Sequence, residues 1–391
     1  DLAWHEWLID ANRLLGDSKV ESAIRDHYGP AVIRTIKDNI AAIATADVVP
    51  QTKMDQALLY LRSNISRSTM GWSLTTAFLQ PFGLTQSMVR IGPKYVLRGM
   101  SRWGGDLARF QDGTKWIYEK SDFMRLRDKT FNRELHEING RITKGKTRAR
   151  EIFDASMFVL MQKMQKVADV PTWIGAYEKA IEQGFDESKA VAMADQAVLD
   201  SQGGGQTKDM AELQRKHPML SMFYSYFNVT YNLAAESTAK TDFRNPVAVA
   251  GWMSDMLLLM IVPALGPAIL MELLKGGGDD DPEEWAAKLL EWQAGYLLGT
   301  MLGLRELSGV VSGYDYTGPP VGRVVADIGK AGQQIGQGEV DEALGLSLVR
   351  LFGTALGIPT VQIVRSWRGW QAWAEGDAPP TAILMGPPPQ D

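Results

Sequence analysis

The sequence predicts an all-α protein, a multi-helix elongated bundle with broken apolar helical hairpins in its carboxyl third. Three observations lead there. No stretch sustains the alternation of β-branched and polar residues, bounded by turn pairs, that a half-buried strand requires. Apolar residues recur instead at helical spacing, with Gly and Pro stop signals between the segments. Two long segments near the carboxyl end are almost free of charge.

Taken in order, Leu2–Leu15, Asp17–Tyr28 and Pro30–Ala46 read as helices. Gly29 is the stop and Pro30 the restart, because glycine accepts a left-handed cap and proline suits the first helical turn. Ser68–Val89 holds no charged residue, but Pro81, Gly83 and many Ser, Thr and Gln dilute its hydrophobicity. It is either a broken buried hairpin, the favoured reading, or a shallow membrane segment, since true spans are about 20 predominantly apolar residues. Glu151–Ala168 is the clearest amphipathic helix. Its residues Phe153, Met157, Leu160, Met164 and Val167 form a narrow stripe, which serves either as core or as the packing surface of an oligomer. Pro171 is predicted to end that helix, with Thr172–Gln183 and Glu187–Gln202 following as shorter ones and Asp186 capping the second. Gly203–Gly205 lack the Lys-Ser/Thr ending of a phosphate loop and read as a flexible joint. Pro218 opens a further helix whose aromatic face includes Phe223, Phe227 and Tyr231, with Tyr224 and Tyr226 alongside.

The carboxyl third changes character. Val247–Leu274 carries only Asp255 and Glu272 as charges, and at about 1.5 Å per residue it is long enough to cross a hydrocarbon layer of about 30 Å. Pro263 and Pro267 predict a break in it, and so a hairpin-like insertion rather than one straight span. Asp279–Asp281 read as a helix start, with Asp281 the cap, Pro282 in the first turn and Glu283 and Glu284 set against the positive helix end. Trp285–Leu307 follows, and then a second apolar stretch, Ala343–Val364, whose only charge is Arg350. The residues predicted to engage a membrane are Trp252, Leu257, Leu258, Leu270, Leu348, Trp367 and Trp370. The last two step by three with Trp373 beside Arg365 and Arg368, either as a belt at a water–lipid boundary or as a helix-packing face.

These segments group into an amino-terminal helical region at 1–110, a basic helix-loop region at 111–150, an amphipathic module at 151–245, an apolar region at 246–378 and a Pro-rich tail at 379–391. The net charge of −5 conceals a split: Pro246 onward carries 17 acidic and 8 basic residues, whereas the preceding part carries 29 and 33. Lys115–Arg150 alone holds 11 basic residues against 5 acidic. The basic run Arg141, Lys144, Lys146, Arg148 and Arg150 is the one candidate for contact with nucleic acid, since clustered cations attract phosphate through counterion release. A solvated loop between helices is the alternative. The chain opens on Asp1 rather than Met and reads as a piece of a longer polypeptide, and its amino terminus lacks the pattern of a signal peptide.

Catalytic patterns are missing. The absence of cysteine excludes disulfides and Cys-based metal sites. His5, His27, His136 and His217 are scattered, and neither His5-Glu6 nor His136-Glu137 continues into a zinc-protease motif. No nucleophile elbow or dinucleotide fingerprint is present. The sequence therefore predicts no cofactor, no metal and no enzymatic activity.

One resemblance adds to this. Trp173, Tyr177, Ala194-Asp195, Val198, Gln202-Gly203, Asp209, Gln214-Arg215, Pro218, Phe223, Phe227, Asn228 and Asn232 make the stretch Trp173–Asn232 similar to a helical module near the carboxyl end of very large phage polyvalent or internal virion proteins. The apolar helices and the tail around Ile383–Pro387 look like that group as well, so the likeness covers about half of the chain, as a diffuse pattern. It implies an ejection protein of a short-tailed phage, housed in the virion near the portal. Such a protein is released into the host periplasm and inner membrane, where it assembles with itself and with other ejection or portal proteins into a ring or tube that passes double-stranded DNA. Two other readings stand beside it: a soluble capsid-core packing domain, and a nucleic-acid or peptidoglycan-acting enzyme domain without a recognisable motif.

If the basic run contacts DNA, the affinity is independent of sequence and falls with salt, because phosphate contacts carry no base information. Replacing Lys144, Lys146, Arg148 and Arg150 together with Gln should flatten the salt dependence of DNA binding, measured by fluorescence anisotropy. Unchanged binding would leave a solvated loop.

Overall fold

The computed structural model describes residues 10–40 (without 12, 31, 35, 38 and 39), 53–130 (without 110), 152–203 (without 154 and 155), 225–274, 282–299, 320–337 and 342–387. Among these the chain is 87% helical and has no strand, which makes it all-α. The first helices are α1 (Ser18–Tyr28), α2 (Lys53–Met70), α3 (Leu74–Leu79), α4 (Leu84–Ile91), α5 (Pro93–Ala108), α6 (Lys115–Lys120) and α7 (Asp122–Thr130). The middle of the chain forms α8 (Val159–Glu182), α9 (Glu187–Gln202) and α10 (Ser225–Lys240). The carboxyl part forms α11 (Pro246–Leu274), α12 (Pro282–Gly299), α13 (Pro320–Gln337), α14 (Glu342–Leu356), α15 (Thr360–Glu375) and α16 (Ala382–Met385).

Local signals set several of these boundaries. Asp17 accepts from the Lys19 N–H at 2.8 Å to start α1, and Gly29 ends it at φ 86°. Asp186 caps α9 by accepting from the Lys189 N–H at 2.8 Å. In both cases a short acceptor side chain satisfies an N–H that the first turn leaves without a partner. The uncharged stretch Ser68–Val89 is a broken, buried element. α2 ends at Met70, Ser73 caps α3, a tight turn at Gln80–Gly83 follows, and α4 carries Thr85, Gln86 and Ser87 into the interior.

α8 departs from the sequence expectation at both ends. The stripe Phe153–Val167 does not lie on one unbroken helix, because the chain turns at Met157–Phe158 and α8 begins at Val159. At the other end Pro171 does not stop it: α8 runs through this residue for 24 residues and absorbs the predicted Thr172–Gln183 helix. An interior proline costs about 3 kcal/mol. Here the surrounding residues Ala168, Val170, Trp173, Ile174 and Ala176 are all buried in the main core, and that burial outweighs the missing N–H.

That core forms where α8 lies between α5, α4 and α9. Its helices approach closely because glycine stands at the crossings. A Cβ at Gly99 of α5 would strike the Pro171 carbonyl, and one at Gly175 of α8 would strike the Tyr95 carbonyl. Polar groups inside the core are matched in a continuous seam. Ser87 Oγ lies 2.6 Å from Thr172 Oγ1 and accepts from Gln202 Nε2 at 2.8 Å, while the Gln202 amide also donates to the Gly83 carbonyl at 2.7 Å. Gln86 donates to Thr230 Oγ1 at 2.7 Å and so ties α4 to α10. The buried pair Arg127–Asp169 (2.8 Å) joins α7 to α8, and Arg127 Nη1 donates to the Gly203 carbonyl at 2.6 Å. Each group would carry a large desolvation cost alone.

The residues that carry the resemblance from Trp173 to Gly203 meet in this core. Trp173 stacks on Tyr177 at 5.3 Å, and its Nε1 donates to Asp195 Oδ1 at 2.7 Å, which also accepts from Ser121 Oγ at 2.6 Å. Burial raises the Asp195 pKa against the opposing effect of these two donors. A raised folded-state value means the folded protein holds this proton more tightly than the unfolded chain. The associated stability is present below the unfolded-state pKa of about 4 and is lost as pH rises through the folded value. Asp195→Asn, which keeps an acceptor for both donors, should therefore be at least as stable as the parent at neutral pH and lose that advantage in acid. Asp195→Ala should cost about 1–3 kcal/mol by stranding the Trp173 N–H and the Ser121 hydroxyl. Urea unfolding across pH measures both.

Candidate membrane-engaging surface

α11 is one helix of 29 residues, with a mean hydropathy of 2.2 over its most apolar window and only 17% of that window buried. By length and composition it is able to cross a bilayer, at about 43 Å for a rise of ~1.5 Å per residue. Pro263 and Pro267 do not fold it back on itself as the sequence predicted. The helix passes them by widening into a π-turn at Leu257–Ile261, where the Val262 N–H reaches the Leu257 carbonyl. Chain reversal occurs instead between α11 and α12, which pack side by side.

The proline leaves a specific debt of hydrogen bonding. Pro263 has no N–H, so the Leu259 carbonyl four residues earlier cannot take the usual α-helical donor from it. α12 supplies one: the Tyr296 hydroxyl donates to the Leu259 carbonyl at 3.0 Å, and Gln293 Nε2 donates to the Met260 carbonyl at 3.0 Å. The two charges of α11 also turn towards protein. Asp255 accepts from Ser237 Oγ of α10 at 2.6 Å, and Glu272, nearly buried, pairs with Lys288 of α12 at 3.4 Å. With these groups turned inward, the outward face is apolar: Val247 is 80% exposed, Leu257 51% and Ile261 39%.

The other residues expected at a membrane divide. Trp367 (52% exposed) and Trp370 (45%) stack on each other at 5.3 Å on the outer face of α15, in line with Ile363. The inner face of α15 is held by Val364 and by Gly369, whose missing Cβ admits the Ala382 carbonyl of α16. Leu258, Leu270 and Leu348 are half-buried. Trp252, also half-buried, meets the Phe243 ring edge-on at 5.4 Å and donates to Thr238 Oγ1 at 3.0 Å. The apolar stretch Ala343–Val364 is divided between α14 and α15 by Gly357, at φ 64°, and Pro359.

Of the oligomer-packing stripe, Phe153, Met157 and Met164 pack in a cluster with Met70, Ala77, Phe158 and Met161, while Leu160 is exposed and Val167 half-buried. Arg141, Lys144, Lys146, Arg148 and Arg150 lie outside the described residues, as do Gly204, Gly205, Pro218, Phe223, Tyr224 and Asp279–Asp281. Several cations preceding the basic run are committed within the chain: Lys120 pairs with Glu187, Arg125 with Asp122 and Arg127 with Asp169. Gln293 and Tyr296 were not singled out in the sequence. The only signal for them is Pro263 itself, which demands a donor without saying where that donor lies. Comparison with family models, with curated proteins and with solved structures gave no match.

Tyr296→Phe keeps the ring and removes only the donor. It should destabilise the protein by about 1–3 kcal/mol, the cost of an unmet buried carbonyl, measured by urea unfolding. A change indistinguishable from zero would show that the Leu259 carbonyl is satisfied by another route.

Proposed function

We propose that this chain is a structural, membrane-engaging component of a phage genome-delivery assembly. In this reading it is housed in the virion near the portal and associates with copies of itself and with other ejection or portal proteins. After release it contributes to a conduit across the host periplasm and inner membrane, with the basic run offered to passing double-stranded DNA. The observation that carries the reading is α11, long and apolar enough to cross a bilayer, with both its charges turned towards protein and its uncovered face free of charge. The resemblance of Trp173–Asn232 and the exposed Trp367–Trp370 pair on α15 support it.

A soluble core-packing role is the second reading, and the inner side of α11 favours it. Leu259 is fully buried among Val89, Val229 and Leu233, so this helix is satisfied by protein on that side.

Flotation with vesicles containing anionic lipid separates the two. The parent protein should float, and Leu257→Glu/Ile261→Glu should not, because each charge placed among acyl chains costs about 2.5–3.5 kcal/mol while the exposed sites tolerate it in water. A parent that stays in the dense fraction would support the soluble role.

A further inference from the structure

We propose that α11 and α12 leave the bundle together, as one clasped hairpin, when the protein meets a bilayer, so that acyl chains take the place of the apolar core contacts of α11. The inference rests on the membrane-engaging reading above and names the part that moves. It follows from how polar and apolar contacts are distributed.

Three polar contacts join the two arms. Leu259 is matched with Tyr296, Met260 with Gln293 and Glu272 with Lys288. The pairing is antiparallel, and the Tyr296 and Lys288 rungs satisfy groups that lipid would leave unmet. Separating the arms in hydrocarbon would expose a broken helix turn and a carboxylate.

Between the hairpin and the rest of the bundle the distribution is reversed. Leu259, Met256 and Met260 pack on Val89, Val229 and Leu233, and a Cβ on Gly266 would stand 2.5 Å from the Phe82 ring. Among the described residues, the hydrogen bonds from α11 and α12 to α10 include Asp255 with Ser237, Trp252 with Thr238, and Tyr296 with Thr230 and, at a long 3.4 Å, with Tyr226. The first two join the amino-terminal half of α11 to α10, beside the turn where Asn245 starts α11 by accepting from the Val247 N–H. The base of the hairpin is thus tethered and its far end is held by apolar packing. Hydrocarbon can replace such packing without leaving a hydrogen bond unmade.

The acidic side of α12 sets which way the hairpin turns. Glu284 and Glu291 are exposed on α12. Immersing them is costly, so α11 faces the acyl chains and the back of α12 stays towards water or protein.

The chain has no cysteine, which allows two bridged variants to be compared directly. Phe82→Cys/Gly266→Cys, joined by a short bis-maleimide, fastens the hairpin to the core. Glu272→Cys/Lys288→Cys, joined in the same way, fastens the arms to each other. Each is compared with its own unbridged form, so that an effect of substitution on folding cancels. The readout is flotation with phosphatidylglycerol–phosphatidylethanolamine vesicles that survives alkaline carbonate. The expected result is loss of carbonate-resistant binding on bridging hairpin to core, and no loss on bridging arm to arm. Binding retained with the core bridge, or lost with the arm bridge, overturns the inference while leaving membrane engagement standing. If the unsubstituted protein does not bind these vesicles, the membrane reading falls and the inference with it.

Discussion

A backbone carbonyl in an apolar setting must find a donor, and much of this structure answers to that constraint. Pro263 denies the Leu259 carbonyl its usual α-helical donor in α11, the one helix among the described residues long and apolar enough to cross a membrane. Widening the turn at Leu257–Ile261 keeps the helix continuous past the proline, but it does not create the missing N–H. The donor comes from Tyr296, with Gln293 beside it, and this fixes the register of α12 on α11. Once that register is set, Lys288 falls opposite Glu272, and the charge that would otherwise make α11 a poor apolar helix is neutralised.

The same constraint shapes the main core by a different means. α8 is placed against α5 through backbone-to-backbone approaches at Gly99 and Gly175, which bring polar main chain deep into the interior. The seam of Ser87, Thr172 and Gln202, with the Arg127–Asp169 pair beyond it, matches the buried polar side chains to one another. Such a seam is less adaptable than an apolar core, because a shift of one residue along either helix would strand several groups at once. The core is therefore closely specified, whereas the buried side of α11 packs through apolar contacts at Leu259. Fold and proposed function meet in that contrast: a closely specified core carries helices whose outer faces are open.

The all-α class was legible in the sequence because periodicity is a local property, and so was the cap at Asp186. The inward charges of α11 were legible only as a requirement: Asp255 and Glu272 needed partners, but nothing local named Ser237 or Lys288. Prolines misled in both directions. Pro171 and Pro263 look like breaks, since the cost of a missing N–H is local, whereas the burial and the donors that offset it come from residues distant in the chain. Trp367 and Trp370 illustrate the converse, because their spacing is as consistent with burial as with exposure, and only the seating of Val364 and Gly369 on the inner side turned the indoles outward.

By itself, then, the sequence determined helix type, the stop at Gly29, the cap at Asp186 and the concentration of apolar residues in the carboxyl third, all of which depend on groups within about four residues of one another. The tertiary structure decided that α8 and α11 pass through their prolines, that α11 and α12 form the hairpin, and which apolar faces stay uncovered. These outcomes depend on where a donor, a counter-charge or a glycine from elsewhere in the chain comes to rest, and spacing along one strand of sequence carries no record of that.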